Sequence, residues 1–209
     1  MGKMLKNEVA KNELKEVRHS EEWHKSGEKV KYRLADAMKS CMKKAPVEKI
    51  TVKEITEECG VTRQTFYRNF QDKYDLINWY FDKLLLKSFE HMGEGTTVYD
   101  GLVKKFEYLK EEHLFFAAAF RSDDQNSLKE HDFELILEFY SNLIFQKTGR
   151  RPDAETSFLL EMYCRGSIYM TVKWVTGEVT CTPEELAERL VDGMPGKLAE
   201  VFTGFGILN

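Results

Sequence analysis

Hydrophobic positions recur at helical spacing along most of the chain, beginning at Val30. Val30, Leu34, Ala37, Met38, Cys41 and Met42 fall on one helix face, with Lys and Arg between them. Ala45-Pro46 closes that segment, because the residue before a proline is steered out of the helical region. Thr51-x-x-Glu54 is a capping box that opens a second helix, and Gly60 suits the left-handed turn that ends it. A third helix is expected from Thr62 to about Phe70. Asp72 caps a fourth, whose apolar surface runs through Tyr74, Ile77, Trp79, Phe81, Leu84, Leu85 and Phe89.

His91–Thr97, with two glycines, reads as a loop. Beyond it the pattern predicts helices at about Val98–Glu112, Leu114–Arg121, Ser127–Lys147, Ala154–Thr176 and Pro183–Asp192, then a short one to Phe202. Asp153 caps one of these, and Thr182-Pro183-x-Glu185 joins a cap, a proline at the first helical position and a capping box. Gly177 is a natural stop, and Gly193-Met194-Pro195-Gly196 interrupts the final segment. No alternating run is long enough for a sheet. The fold class expected is all-α.

The pair from Thr51 to Phe70 carries the strongest functional signal. Two helices of eight to nine residues joined by a Gly-containing turn suit a helix-turn-helix, in which the first helix braces the second in the DNA major groove. Val52, Ile55, Cys59, Val61, Phe66 and Phe70 fall on inward spacings. The outward face holds Arg63, Gln64 and Thr65, which we expect to read bases, since Arg matches guanine and Gln matches adenine bidentately. Thr51, Thr62, Tyr67, Arg68, Asn69 and Lys73 are placed to hold phosphates with hydroxyl, guanidinium, amide and ammonium donors.

Charge supports this division. The chain has a net charge of −4, but residues 1–71 carry 16 Lys/Arg against 11 Asp/Glu and the rest carry 15 against 24. A basic front and an acidic rear fit a DNA-binding head on a solvated body. The expected organisation is a flexible charged arm over 1–26, a three-helix DNA-binding domain over 27–73 and a larger helical effector-binding and dimerisation domain over 74–209. The longest apolar run, Leu114–Phe120, is seven residues, too short to span a membrane. With no apolar leader, a soluble cytoplasmic protein is expected.

The stretch from Lys49 through Arg63-Gln-Thr-Phe-Tyr-Arg-Asn-Phe-Gln-Asp-Lys to Leu76 closely resembles the DNA-binding signature of TetR-family regulators. A narrower likeness, carried by Asn78, Trp79 and Tyr80, is to the branch containing the dihydroxyacetone kinase operon regulator. Asn69 stands where His is frequent in the family, and Thr56 where Ala is frequent. The resemblance implies a homodimer on a palindromic double-stranded DNA operator, with the C-terminal helices forming the subunit interface. It also implies control by a small-molecule effector, or by a partner protein as the narrower branch suggests.

In the rear half, Phe158, Met162 and Tyr169, with Leu186 and Leu190 on the following helix, are the expected dimer contacts. An effector pocket is expected among Phe115, Phe116, Phe120, Phe139, Tyr140 and Tyr163. No isolated charge within an apolar stretch indicates a ligand polarity. Arg165 could meet an anion or pair with Glu161 four residues earlier. An enzyme is the competing class, but no nucleophile elbow, phosphate-binding Gly-rich loop or His-x-x-x-His pair occurs. His113 and His131 read as solvated or capping residues. Cys41, Cys59, Cys164 and Cys181 form no Cys-x-x-Cys pair, so reduced thiols, no metal and no cofactor are expected.

Overall fold

The computed structural model describes residues 28–122 and 128–208. The arm over 1–26 lies outside the described residues, as does Ser127. Among the described residues the chain forms α1 (Lys29–Met42), a single 3-10 turn (Val47–Lys49), α2 (Val52–Cys59), α3 (Arg63–Tyr67), α4 (Lys73–Phe89), α5 (Val98–Glu111) and α6 (His113–Arg121). It continues through α7 (Leu128–Thr148), α8 (Ala154–Val175), α9 (Pro183–Asp192) and α10 (Gly196–Gly204), with no strands. No described helix is long and apolar enough to cross a membrane.

Most boundaries follow from local chemistry. Complete capping boxes at Thr51/Glu54, Thr97/Asp100 and Thr182/Glu185 open α2, α5 and α9. Each satisfies backbone N–H groups that the first helical turn leaves without partners. Asp72 accepts from the amides of Tyr74 and Asp75 and starts α4.

The expected third helix is shorter than its periodicity predicts. Regular helix stops at Tyr67, and the amides of Asn69 and Phe70 both turn back on the Phe66 carbonyl at 2.8 and 2.9 Å. The Asn69 side chain folds back as well, donating to the Thr65 carbonyl at 2.7 Å. An amide that satisfies a terminal carbonyl in this way stabilises the stop, and Asp72 begins the next helix at once.

α4 joins the two halves. It packs on α1 towards the head, and on α5 and α7 towards the body. Ile77 and Phe81 are buried along it, each such side chain contributing roughly 1.5–3 kcal/mol of apolar burial. In the body α5 lies against α9 and α7 against α8. α10 inserts Phe202, fully buried and with its ring centroid 5.2 Å from that of Tyr140. The Val98 amide donates to the Ile207 carbonyl at 2.8 Å, fastening the end of the described chain to the start of α5.

Candidate nucleic-acid interface

α2 and α3 are held at a fixed angle by their turn and by one aromatic anchor. Gly60 adopts φ 68°, the left-handed region where a Cβ is costly, and the Val61 amide donates to the Thr56 carbonyl at 3.0 Å. Thr62 then caps α3, accepting from the Thr65 amide at 3.1 Å. Phe66 points inward and is fully buried, with the Phe70 ring 5.9 Å away and the Tyr67 ring edge-on at 5.5 Å. Phe70 in turn meets Trp79 at 5.5 Å, so α3 is seated on α4 as well as on α2. Ile55 is buried as expected, whereas Val52, Cys59 and Val61 are only partly buried. Thr56 is buried too, its hydroxyl donating to the Lys53 carbonyl.

This seating leaves Arg63, Gln64, Tyr67 and Arg68 exposed together on the outer side of α3. Thr65 is half-buried, and its hydroxyl lies 3.0 Å from that of Thr62, so it closes the cap. Thr51 donates its hydroxyl proton to the Glu54 carboxylate at 2.7 Å and accepts from the Glu54 amide. The hydroxyl bond, and a second from the Thr51 backbone amide at 2.7 Å, hold the Glu54 carboxyl below its ordinary pKa.

Lys73 has a different place from the one expected. Its ammonium donates to the carbonyls of Val47, Glu48 and Ile50 at 2.7, 2.9 and 2.9 Å. An ammonium has three protons, and all three are engaged here. Lys73 braces the 3-10 turn that leads into α2 instead of reaching out to a phosphate. Asn69, bonded to the Thr65 carbonyl, is also turned inward and half-buried.

The body redistributes the other expected residues. Phe158, Met162 and Tyr169 form an exposed stripe on α8, at 67, 50 and 62 % exposure. Leu186 and Leu190 are not beside them: both are buried, on the helix that packs against α5 within the same chain. Apolar spacing shows that a face is covered, and here the cover is internal.

The expected aromatic pocket separates in the same way. Phe115 and Phe116 pack on Tyr80, with Phe116 and Phe120 also against Phe81, and all three are closed core residues. Phe139 sits 5.2 Å from Phe89. Of the six, Tyr140 and Tyr163 line a narrow cavity of about 20 Å³ between α5, α7, α8 and α9. That is room for roughly one water.

Two charged side chains that the sequence reading did not single out lie buried beside this cavity. Lys105 donates to both carboxylate oxygens of Asp132 at 2.9 Å, and the two residues are 5 and 0 % exposed. Their signal was present: Lys105 lies between Leu102 and Phe106 on the inner face of α5, and Asp132 occupies the stripe Leu128, Ile136, Tyr140. The Arg165 guanidinium is bonded not to Glu161 but to the Glu130 carboxylate across the helix gap, through two bonds of 2.7 Å. His131 is not simply solvated; its Nε2 is bonded to Asp82 of α4.

A family model described as bacterial regulatory proteins, tetR family, matches residues 34–79. Another, described as a transcriptional regulator C-terminal region, matches residues 96–196. The HTH-type dhaKLM operon transcriptional activator DhaS of Lactococcus lactis subsp. lactis (strain IL1403) is 27% identical over 131 residues, covering 60% of this chain and 68% of that protein. A solved structure of a dihydroxyacetone kinase operon activator DhaS superposes with a TM-score of 0.58 at 20% identity, over 83% of this chain and 97% of that one. NalD, the secondary repressor of the MexAB-OprM multidrug efflux pump in Pseudomonas aeruginosa, gives 0.55 at 18% identity, over 80% and 94%. At those identities the two structures share the fold. One is an activator and the other a repressor.

Proposed function

The chain belongs to the TetR family of bacterial regulatory proteins and is a DNA-binding transcriptional regulator, and we propose that it binds a palindromic operator as a homodimer, with α3 of each subunit in a major groove. The observation that carries this reading is the capped, Phe66-anchored α3, which leaves Arg63, Gln64, Tyr67 and Arg68 free on one outer face. Arg63 and Gln64 are the base readers in this proposal. Thr62, Tyr67 and Arg68 hold the backbone, and Thr51, Thr65, Asn69 and Lys73 set the geometry from behind. Two-fold symmetry places the half-sites about one helical turn apart, roughly 34–36 Å or a multiple.

Residues 27–73 form the reading head in this scheme. Residues 74–209 form the dimerising and signal-receiving body, with α4 as the shared beam. The exposed stripe of Phe158, Met162 and Tyr169 supports a subunit interface on α8. The site of action is the cytoplasm, where operator DNA lies.

Selection of bound DNA from a random pool at low salt tests the reading. A palindromic consensus is expected, with affinity falling as salt rises because phosphate contacts release counterions. Arg63→Ala and Gln64→Ala should each relax preference at one position per half-site, by the roughly 1–3 kcal/mol that a bidentate base contact is worth. A pool that yields no enriched sequence sinks the proposal.

A further inference from the structure

α4, α5 and α7 meet at four charged side chains. Asp82 of α4 is bonded to His131 Nε2 of α7, and the next residue on α7, Asp132, accepts two bonds from Lys105 of α5. Lys105 also lies over the ring of Phe81, the neighbour of Asp82 on α4, 5.4 Å from its centre. The two ion pairs are therefore adjacent. Burial pushes the Asp132 carboxyl up, the Lys105 ammonium and the His131 charge oppose that push, and Asp82 adds to it. With His131 protonated the four charges cancel. Without that proton two carboxylates share one cation, and one of them, Asp132, is fully buried. Glu134, three residues beyond His131, adds a further negative charge. The cations on neighbouring helices are engaged elsewhere. Arg165 of α8 holds Glu130, Arg121 of α6 donates to the Thr176 carbonyl, and on α4 Lys83 pairs with Glu28 while Lys87 sits over Tyr108. The His131 and Asp82 side chains keep 27 and 31 % exposure, enough for the imidazole to exchange its proton with solvent.

We infer that this cluster is a proton-operated clasp on the shared beam, through which pH sets operator affinity; the inference rests on the regulator reading above. With His131 protonated the clasp fixes α4 against α7 and holds the reading head in place. With His131 neutral it lets α4 shift, and operator binding weakens. A neutral imidazole can donate one N–H to Asp82, but it no longer balances the carboxylate charge. Turning Asp82 out to water relieves that excess and parts α4 from α7 at this point. Position gives the clasp leverage. Asp82 lies nine residues beyond Lys73, roughly 14 Å along the helix, and the same helix seats Trp79 against Phe70 behind α3. Two heads held at a fixed spacing meet two half-sites with less ordering left to do than two loose heads, so opening the clasp costs affinity. The operator and the proton favour the same state, which makes each strengthen the binding of the other.

The test uses the full chain, first without DNA. The His131 imidazole resonance, assigned by its loss in His131→Gln, should titrate above about pH 6.5, and the Ile77 methyl of α4 should move with the same midpoint. The duplex recovered by operator selection is then titrated by fluorescence anisotropy from about pH 6 to 8.5 at constant ionic strength. Parent affinity should fall about tenfold relative to His131→Gln, roughly threefold for each clasp of the dimer. By reciprocity, each His131 should titrate about half a pH unit higher in the operator complex. His131→Gln should bind throughout with the weaker affinity that the parent shows at high pH, and Asp82→Asn should flatten the profile as well. If one variant does not fold, the other decides. The remaining histidines are common to parent and variant and cancel in the comparison. An equal profile in parent and variants, an affinity that rises with pH, or an Ile77 methyl indifferent to His131 overturns the inference. Enriched DNA bound equally at every pH ends the clasp and leaves the regulator reading standing. A pool with no enriched sequence fails the regulator reading, and the clasp with it, whatever the methyl reports.

Discussion

Lys39 Nζ on α1 lies 2.7 Å from the Glu112 Oε1 at the α5–α6 junction, and the Tyr80 hydroxyl of α4 bonds both, at 2.8 and 2.9 Å. Three elements from the head, the shared beam and the body thus meet in one closed ring of hydrogen bonds. Burial, and then the Glu112 charge, push the Tyr80 phenol far above its ordinary pKa, so it remains a donor. The Lys39 ammonium also sits 4.3 Å from the centre of the Tyr80 ring. Lys39→Met and Glu112→Gln should each cost about 1–3 kcal/mol, as expected for charge-assisted bonds. The double variant should lose less than the two together, because either change breaks the same ring. Urea unfolding of the four proteins gives the coupling. Additive losses would show that the two residues act separately.

Lys73 and Arg68 separate bracing from DNA contact. Removing the Lys73 ammonium leaves the carbonyls of Val47, Glu48 and Ile50 without their donor, so Lys73→Met should lower stability by about 2 kcal/mol. At temperatures where that variant is folded, its operator affinity should fall with salt as steeply as the parent's. Arg68→Ala should do the opposite. It leaves stability within about 0.5 kcal/mol and reduces the salt slope by about one. Fluorescence anisotropy over a salt series reads both, and a shallower slope for Lys73→Met would return that residue to the phosphate.

His131 gives the body a pH dependence of defined sign. Burial lowers its pKa, but the hydrogen bond and charge of Asp82, with Asp132 and Glu134 nearby, outweigh burial and leave the net shift upward. A folded-state pKa above the unfolded value near 6.5 means that stability from this pair is complete below about pH 6.5. It is lost as pH rises through the raised folded value. The free energy of unfolding should therefore fall across that window in the parent protein and stay flatter in His131→Gln. Denaturant titrations at several pH values check this; an equal fall in both proteins would assign the dependence elsewhere.

Much of this architecture was legible in the sequence, because caps and breakers stand where the periodicity changes. Thr51 with Glu54, Gly60, Asp72 and Thr182-Pro183 each mark a boundary that the structure reproduces to within a residue. The end of α3 was not legible, since it depends on Asn69 folding back on the Thr65 carbonyl. The roles of Leu186 and Leu190 were not legible for a different reason: an apolar stripe has the same spacing whether α5 or a second subunit covers it. Lys105 and Asp132 each interrupt an inward-facing stripe, but a one-dimensional pattern does not say that charges 27 positions apart meet.

The same ambiguity makes the dimer testable. Leu186 is 1 % exposed inside the subunit, so Leu186→Ala should cost about 2–5 kcal/mol in the fold itself, whatever the oligomeric state. Phe158 and Tyr169 are 67 and 62 % exposed and make no such contribution within one chain. Phe158→Glu or Tyr169→Glu should leave the helical signal intact while placing a charge in the proposed interface, where an unpaired buried carboxylate is strongly unfavourable. Sedimentation should then show the parent as a dimer and these variants shifted towards monomer. Operator affinity should fall with them, because two heads no longer bind as one unit. A parent that sediments as a monomer, or exposed-stripe variants that remain fully dimeric, would move the interface off this face of α8.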